Sequence, residues 1–438
     1  MDDIVHVKLW GTIIGALGYE PGQTEIATFE YEENVLEMNV EFSPLHLPLR
    51  AIPYSFDDIS HRTFHGLPGF IADSLPDKFG NQLIDQYFAE QGKREQDITA
   101  LDRLLYVGNR AMGGLEYEPS QNFDDDNTGV ELNLDTLSEL AEMVLTKKDK
   151  FREKLHAADR KSAINLLRIG SSAGGARSKA LVAVDKDGKF FDGTIDQGKE
   201  CKYYLLKFDS SSNSDRDNKD PKGMTRVEYI YSLIAKKCEI DIPETTYIEM
   251  GKDFHFMIER FDRVYDSSKS RLDKLHYASW SGLAHAHRDA TGAYSYEQLV
   301  LAARELGLAQ DAITEIFKRA VFNIIGKNQD DHTKNFGFLM DRDAEWRLAP
   351  AFDLTYSYDP TGKWTKVHQI KFQNKQDNFT LDDIINFGKL CNIKEKKVKE
   401  IVEKTQKEFS NFEDLANEYN VDDELKATIL NNIRKIES

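Results

Sequence analysis

One segment in the last third of the chain constrains the fold more than any other. Residues 311–325 carry apolar side chains at helical spacing, which predicts a core helix. This helix runs directly into a polar loop, residues 326–335. Residues 336–348 are apolar at both ends and polar between, which predicts a hairpin with a six-residue connection. Because a hairpin returns the chain to its start, we expect Asp353 to lie beside the loop.

The loop carries oxygen-bearing side chains at a spacing with known chemistry. Asp330 and Asn335 are five positions apart, as are the base and one magnesium ligand in a protein-kinase catalytic loop. Mg²⁺ prefers hard oxygen ligands and keeps several waters, so Asn335, Asp353 and nucleotide phosphates form a sufficient set. His332 is expected to be a hydrogen-bonding partner rather than a metal ligand. The competing interpretation is an ordinary solvated Asp-rich loop.

Composition limits the classes of function. A length of 438 residues allows two to three domains, and 40% hydrophobic with 30% charged residues is typical of a soluble globular protein. The net charge of −18 disfavours direct binding to nucleic-acid phosphates, which depends on clustered Lys and Arg. A basic protein fits this charge better as a partner.

Cysteine usage and the N-terminus predict a cytoplasmic location. The three cysteines are odd in number and form no C-x-x-C pair, which favours a reducing compartment. The chain begins Met-Asp-Asp-Ile, which is acidic and unlike a signal peptide. No apolar window approaches the length of a membrane span, so no membrane partner is expected.

Upstream elements follow the order found in kinases. Residues 201–208 read as a strand with Lys207 near its end, where a kinase small lobe has a lysine that contacts nucleotide phosphates. The predicted helix at 226–237 carries Glu228, which corresponds to the glutamate of the kinase ion pair. After a further strand, residues 259–263 are a candidate hinge whose backbone meets an adenine edge. An exposed edge lysine is the simpler interpretation of Lys207.

A stretch of small residues precedes the Lys207 strand. Gly170, Gly174 and Gly175 lie among small residues and lead into a predicted strand at 179–184. Small residues let backbone N–H groups approach phosphate oxygens. The stretch matches neither a Walker A loop nor G-x-G-x-x-G, and glycine turns before strands are usually only turns.

These elements together predict an α+β, two-lobed, protein-kinase-like fold. A small sheet is expected in residues 5–31, and amphipathic helices are expected from Thr380 to Ile436. The predicted divisions are a β-rich N-terminal subdomain at 1–125, a kinase-like N-lobe with the glycine-rich loop and hinge at 126–263, and a helical C-lobe at 264–438.

The chain resembles the HipA family, the serine/threonine-kinase toxins of bacterial HipBA-type toxin–antitoxin modules. The catalytic-loop position reads Asn-Gln-Asp at 328–330 instead of His-Arg-Asp, and the chain has no Asp-Phe-Gly or Ala-Pro-Glu, which excludes an ordinary eukaryotic-type kinase. The resemblance covers nearly the whole length. The segments that carry it are 67–80, 108–119, 172–179, Lys207, 259–263, 328–335 and 348–353.

The resemblance implies an activity, cofactors and partners. It implies ATP and Mg²⁺, transfer of the γ-phosphate to a protein serine or threonine, and inhibition by a HipB-like helix-turn-helix antitoxin. DNA would be contacted only through that antitoxin. The substrate would be a translation component, such as an aminoacyl-tRNA synthetase.

The resemblance also assigns residues to roles. Asp330 corresponds to the catalytic base, and Asn335 and Asp353 to the Mg²⁺ ligands. Ser172 falls at the autophosphorylated serine, although Ser171 beside it leaves the acceptor open. Asp331 replaces a glycine of some relatives. The residues that correspond to the ATP-binding set are Lys207, Glu259, Phe261, Lys179, Ser172, Gly174, Gly175 and His332.

Two alternatives stay open at this point. A metal-dependent phosphohydrolase would use Asp330, Asp331, His332 and Asp353, but has no use for Lys207 or the glycine-rich stretch. A catalytically silent kinase-like co-repressor would act only with the antitoxin. The presence of Asp330, Asn335, Asp353 and Lys207 argues against a silent protein.

Overall fold

The chain forms two compact units in a computed structural model. The structure describes residues 4–38, 40–120, 128–156, 160–171, 177–210 and 221–437. The first unit comprises residues 1–43, 47–222 and 246–277, and the second comprises 44–46, 223–245 and 278–438. The chain therefore crosses between units several times, and the three-part division predicted from the sequence stays a prediction.

The first unit contains two principal sheets. A four-stranded antiparallel sheet has the order β3-β2-β1-β4, and a five-stranded sheet has the order β6-β5-β7-β9-β8. A two-stranded ribbon, β10-β11, follows. The strands are β1 (Val5–Leu9), β2 (Thr12–Tyr19), β3 (Ala27–Tyr31), β4 (Leu115–Glu118), β5 (Lys179–Val184), β6 (Phe190–Asp192), β7 (Lys202–Lys207), β8 (Thr245–Met250), β9 (Asp253–Glu259), β10 (Arg263–Asp266), β11 (Arg271–Lys274) and β12 (His276–Ser279), which reaches the second unit.

Helices cover one face of the five-stranded sheet. The helices of this unit are α1 (Glu33–Leu36), α2 (His61–Phe64), α3 (Gly69–Ala72), α4 (Lys78–Glu90), α5 (Ala100–Val107), α6 (Leu134–Thr146), α7 (Lys148–His156) and α8 (Lys161–Gly170). Leu83 of α4, Leu166 of α8 and Leu206 of β7 belong to one buried apolar cluster. Burial of such side chains is the main stabilising contribution to the unit.

The second unit is mostly helical around a long core helix, α12. Its helices are α9 (Met224–Lys237), α10 (Trp280–Ala284), α11 (Tyr296–Glu305), α12 (Gln310–Ile325), α13 (Leu381–Leu390), α14 (Glu395–Phe409), α15 (Phe412–Glu418) and α16 (Asp423–Asn432). Phe317 of α12 stacks on Phe387 of α13. A hairpin of β13 (Gly337–Met340) and β14 (Trp346–Leu348) follows α12.

Most predicted elements are confirmed within a few residues. The predicted core helix at 311–325 is α12, and the predicted strands at 179–184 and 201–208 are β5 and β7. The hairpin forms with five connecting residues rather than six, because Met340 pairs with Trp346 as the last rung of the ladder. The boundary predicted at residue 125 lies outside the described residues.

Two broader features concern the cysteines and the lengths of the helices. Cys201, Cys238 and Cys391 are all free thiols. Within the part of the chain that the structure describes, no helix combines the length and apolarity needed to cross a membrane.

Candidate active site

The polar loop is fixed to the end of α12 by side-chain amides. The helix ends at Gly326, whose carbonyl accepts a 2.6 Å hydrogen bond from the Tyr231 hydroxyl of α9. Asn328 then turns back onto the last helical turn. Its backbone N–H donates to the Asn323 carbonyl at 3.0 Å, and its Nδ2 donates to Asn323 Oδ1 at 2.9 Å. The loop therefore leaves the helix in a defined direction.

Asp330 and Asn335 are brought together by a short turn. Asn335 Nδ2 donates a 2.7 Å hydrogen bond to the backbone carbonyl of Asp330. Residues 333–335 form a single 3₁₀ turn, in which the Thr333 hydroxyl also donates to the Ala286 carbonyl at 3.1 Å. The Asp330 side chain is 45% exposed. With this five-residue spacing, the Asp330 carboxylate is accessible and the Asn335 amide closes the loop that carries it.

Asp353 contacts the same loop at Asn328 after the hairpin, and its position beside Asp330 and Asn335 stays a prediction. Its backbone carbonyl accepts from Asn328 Nδ2 at 3.3 Å, and the Ser357 N–H donates to the Lys327 carbonyl at 3.1 Å. Asp353 has φ of +52°, the left-handed region that non-glycine residues enter rarely. Backbone strain of this kind concentrates at functional sites.

Asp331, the neighbour of Asp330, has the opposite environment. Its side chain is fully buried and accepts from Tyr296 Oη at 2.9 Å and the Gln369 N–H at 2.8 Å. The His368 Nδ1 atom lies 2.8 Å from the same carboxylate. Burial, and then the charge of Asp331, raise the pKa of Tyr296 well above its ordinary value, so the phenol remains a donor. Asp331 is therefore a structural anchor, which leaves Asp330 as the accessible acid.

Replacing Asp331 by Asn is expected to lower the free energy of unfolding by roughly 1–3 kcal/mol, the cost of leaving buried partners unsatisfied. Asp330→Asn is the matched control, because the half-exposed Asp330 side chain predicts little change in stability. Urea unfolding of the purified variants measures both effects. Equal midpoints for the two variants would contradict the anchoring role of Asp331.

His332 lies inside the loop and is expected to be neutral. Burial, and then the positive charge of Arg288, lower the pKa of its imidazole below the ordinary value, against the opposing effects of Asp330 and Asp353. His332 Nε2 is 3.9 Å from Asp330 Oδ1. Its Nδ1 atom is buried without a hydrogen-bond partner within the described residues, as are both polar atoms of Gln329. Buried polar atoms normally have partners, so these three atoms are exceptions among the described residues.

The two lysines predicted to contact ATP face each other across neighbouring strands of the first unit. Lys179 of β5 and Lys207 of β7 are directly paired in the antiparallel register, and both are buried. Lys179 Nζ lies 2.6 Å from Asp77 Oδ2. A direct phosphate contact by Lys179 requires that this ion pair opens, whereas Lys207 is the simpler candidate. Glu228 lies on α9, which belongs to the second unit, and its pairing with Lys207 stays a prediction.

The predicted hinge follows β9 directly. Glu259 is the last residue of that strand and pairs with Tyr204 of β7. The Arg260 N–H donates to the Tyr203 carbonyl at 2.8 Å, and the Phe261 ring packs 5.8 Å from that of Tyr277. The hinge backbone is thus held along one edge by β7.

The glycine-rich loop is the least described part of the predicted site. Ser172, Gly174 and Gly175 lie outside the described residues. Ser171, the alternative phosphoacceptor, is fully buried, and its hydroxyl donates to the Arg168 carbonyl at 3.4 Å. A buried hydroxyl is a poor acceptor of a phosphoryl group, which favours Ser172.

The geometry argues against the phosphohydrolase alternative. That reading needs Asp331 as a ligand, but Asp331 is occupied by Tyr296, Gln369 and His368. The kinase reading needs only Asn335 and Asp353 from the protein.

Family comparison decides the relationship. The model of the HipA-like C-terminal domain matches residues 171–412, more than half of the chain. The model of the HipA N-terminal domain matches residues 5–118. The chain belongs to the HipA family. The resemblance seen in the sequence is thereby confirmed.

Individual relatives agree with this family. A Haemophilus influenzae protein named "Putative kinase" is 29% identical over 137 residues, which cover 29% of this chain and 39% of that protein. The HipA of Shewanella oneidensis, solved with HipB and operator DNA, is 14% identical over 98% of this chain and 94% of its own, with a TM-score of 0.64. This likeness confirms the α+β, two-lobed, HipA-like fold class.

A second solved structure is less similar. The Helicobacter pylori proinflammatory kinase CtkA is 13% identical, covers 52% of this chain and 91% of its own, and has a TM-score of 0.31. We base nothing on that likeness.

Sequence reasoning did not predict the pairing of two acids, Asp77 and Asp262, or the burial of Asp331. Asp77 lies in the Gly/Pro-rich stretch and pairs with Lys179. Asp262 lies between two arginines in the hinge and contacts both. The Arg-x-Asp-Arg pattern of residues 260–263 was the available signal for Asp262, since a carboxylate flanked by two guanidinium groups is readily buried as a pair.

Proposed function

We propose that the protein is an ATP-dependent serine/threonine protein kinase that acts as the toxin of a HipBA-type module. The observation that carries the proposal is the second unit's loop, in which the accessible Asp330 and Asn335 lie on one short turn and the Asp353 carbonyl contacts the loop at Asn328. Membership of the HipA family supports it.

Asp330 is the general base in this proposal. The substrate hydroxyl gives its proton to the Asp330 carboxylate while its oxygen bonds to the γ-phosphorus of ATP. The bond from that phosphorus to the β–γ bridging oxygen breaks, and ADP leaves. The hydrogen bond from Asn335 to the Asp330 carbonyl fixes the loop that carries the base. Fixed geometry matters because phosphoryl transfer relies on positioning and electrostatics.

The donor set fits Mg²⁺. Asn335 uses Nδ2 as a donor to Asp330, so Oδ1 is the atom that it offers to a cation. Asp353 supplies a carboxylate, and one or two carboxylates with phosphate oxygens and water are usual for protein-bound Mg²⁺. Bound Mg²⁺ would neutralise charge that develops on the phosphates. The unpartnered atoms of Gln329 and His332 are consistent with a polar ligand beside this loop.

The remaining nucleotide contacts are proposed for the residues that correspond to the family's ATP-binding set. Lys207 contacts phosphate oxygens, Glu259 and Phe261 form the adenine hinge, and Gly174 and Gly175 offer backbone N–H groups. Lys179 is proposed to lie near the ATP phosphates while it remains paired with Asp77. His332, neutral through burial, is a hydrogen-bonding contact of the ATP phosphates.

The proposed partners are proteins. The Shewanella oneidensis HipA was solved with HipB and operator DNA, so we propose a HipB-like antitoxin as the inhibitor. The net charge of −18 suits contact with a basic protein, and DNA would be reached only through it. The substrate is proposed to be a translation component, such as an aminoacyl-tRNA synthetase, in the cytoplasm.

Incubation of purified protein with γ-labelled ATP and Mg²⁺ tests the activity. Label is expected on the protein itself and on a serine or threonine of a cellular protein, which phosphoproteomics after induced expression would identify. Tight ATP binding with no transfer to any protein would support the silent co-repressor instead.

Autophosphorylation gives a further prediction. Intact-mass spectrometry after incubation with Mg²⁺ and ATP is expected to show one phosphate in wild type and none in Ser172→Ala. The added charge of roughly −1.5 to −2 would repel the ATP phosphates and switch the kinase off. Ser178→Ala is the control, because Ser178 is buried and should not be the acceptor. If the phosphorylated protein bound ATP as tightly as the unmodified protein, phosphorylation would not be an off-switch. If only Ser171→Ala lost the phosphate, Ser171 would be the acceptor.

A further inference from the structure

Asp262, next to the hinge residue Phe261, is the centre of a buried charge cluster in the first unit. Its carboxylate has no exposed surface. Arg260 donates to it from Nε at 3.0 Å and from Nη2 at 2.8 Å, and Arg263 donates from Nη1 at 2.7 Å. Burial alone would raise the pKa of Asp262, but the two guanidinium groups hold it well below the ordinary value. The acid is therefore charged and fully paired.

The fourth donor to Asp262 comes from far away in the sequence. The backbone N–H of Gly113 donates to Asp262 Oδ2 at 2.6 Å. Arg263 donates back to the carbonyls of Gly113 at 2.9 Å and Ala111 at 3.0 Å. Residues 111–114, which we call the Gly113 turn, lie within the N-terminal domain matched at residues 5–118. One carboxylate thus joins that domain to the hinge.

The Gly113 turn fits this contact closely. Gly113 has φ of +79°, and a Cβ atom built there would lie 3.0 Å from the Tyr277 Cβ. A Cβ on Gly114 would lie 2.9 Å from Leu9 Cδ1 and 3.2 Å from the Leu275 carbonyl oxygen. A side chain at either position would require neighbouring atoms to shift, and the positive φ of Gly113 is costly for other residues.

Further hydrogen bonds involve the segment that follows the hinge. Lys274 Nζ donates to the Asn109 carbonyl at 2.7 Å and to Glu116 at 2.8 Å. Trp10 Nε1 donates to the Lys274 carbonyl at 2.6 Å. The Leu275 N–H donates to the Asp262 carbonyl at 3.0 Å. The segment that follows the hinge is thus held at several points by the N-terminal domain.

We propose that Asp262 is a positioning residue for nucleotide binding, which fixes the hinge at residues 259–263 against the N-terminal domain through the Gly113 turn. This inference rests on the proposed function, in which the hinge backbone contacts adenine. The N-terminal domain then influences ATP affinity without touching the nucleotide. Coupling between separated groups commonly changes affinity by about 5- to 150-fold.

Two variants test the inference from opposite sides of the contact. Asp262→Asn keeps the shape but removes the charge that pairs with Arg260 and Arg263. Gly113→Ala leaves the hinge residues intact and displaces the turn. Each is expected to raise the ATP dissociation constant, and the KM for ATP, at least about fivefold, with a smaller change in kcat. Each should also speed amide hydrogen exchange at residues 259–263 and 109–118 in the nucleotide-free protein.

Asp85→Asn is the matched control. Asp85 forms a partly buried 2.8 Å ion pair with Arg103 in the same unit, away from the hinge. It is expected to lower thermal stability while leaving ATP affinity and hinge exchange unchanged. If Asp262→Asn and Gly113→Ala behave like Asp85→Asn, the inference is wrong. A second outcome concerns the proposed function. If hydrogen exchange at the hinge rises in the two variants but the wild-type protein binds no ATP, the proposed function and the role in nucleotide binding are both wrong. The coupling between the Gly113 turn and the hinge would still be supported.

Discussion

Replacing Asp330 by Asn is expected to lower phosphoryl transfer roughly 10²–10⁴-fold, the usual contribution of a positioned general base. Asn matches the shape of Asp but cannot accept the proton of the substrate hydroxyl. ATP affinity should stay near the wild-type value, because the proposed adenine contacts, residues 259–261, do not include Asp330. Single-turnover transfer of labelled phosphate measures the first effect, and titration with a fluorescent adenine nucleotide measures the second.

Asp343→Asn is the control for this experiment. Asp343 is an exposed residue in the turn of the hairpin that follows the loop, so its replacement should leave the rate unchanged. The two neighbouring acids can also be distinguished by stability, because Asp331→Asn is expected to destabilise the protein and Asp330→Asn is not. If Asp331→Asn were folded and inactive while Asp330→Asn were active, the assignment of the base would be wrong.

Asp353→Asn is expected to remove most of the dependence of ATP binding on Mg²⁺ and to lower transfer by about two orders of magnitude or more. It replaces the charged ligand of the proposed Mg²⁺ site by a neutral one. Asn is preferred to Ala here because Asn tolerates the left-handed backbone at this position, where φ is +52°. Calorimetric titration with ATP, with and without Mg²⁺, measures the change.

Asp359→Asn provides the comparison for the Mg²⁺ experiment. Asp359 lies further along the same segment and accepts hydrogen bonds from the Thr361 N–H and hydroxyl, and Asn keeps a side-chain oxygen that can accept both. An Asp353→Asn protein that gains as much ATP affinity from Mg²⁺ as wild type does would refute the metal role.

Local periodicity was enough to predict much of the fold. The apolar spacing in residues 311–325 identified α12, and the alternating ends of residues 336–348 identified the hairpin. The return of Asp353 to the loop also followed, because a hairpin reverses the chain. These features depend on residues that are close together in the sequence, so a single sequence is enough to predict them.

Long-range pairing was not predictable in the same way. The spacing to Asn335 selects Asp330 as the base, but it does not show what the neighbouring Asp331 contacts. Only the tertiary contacts of Asp331 with Tyr296 and His368, which lie 35 and 37 positions away, remove it from consideration. The ion pair of Lys179 could not be predicted either, because its partner Asp77 lies 102 positions earlier in the sequence. Burial and pairing of charges depend on which segments meet, and composition or spacing does not reveal that.

The ion pair between Asp77 and Lys179 limits how this chain can be cut or recombined. Asp77 belongs to the family's N-terminal domain and Lys179 to its C-terminal domain, yet both lie in one compact unit. Asp77 also caps α4 by accepting from the Gly80 N–H at 2.9 Å. A chain shortened to residues 119–438 would leave the Lys179 ammonium without its anion at a buried position. Chimeras between relatives should therefore exchange the two residues as a set, because sequence families and folding units divide this protein at different places.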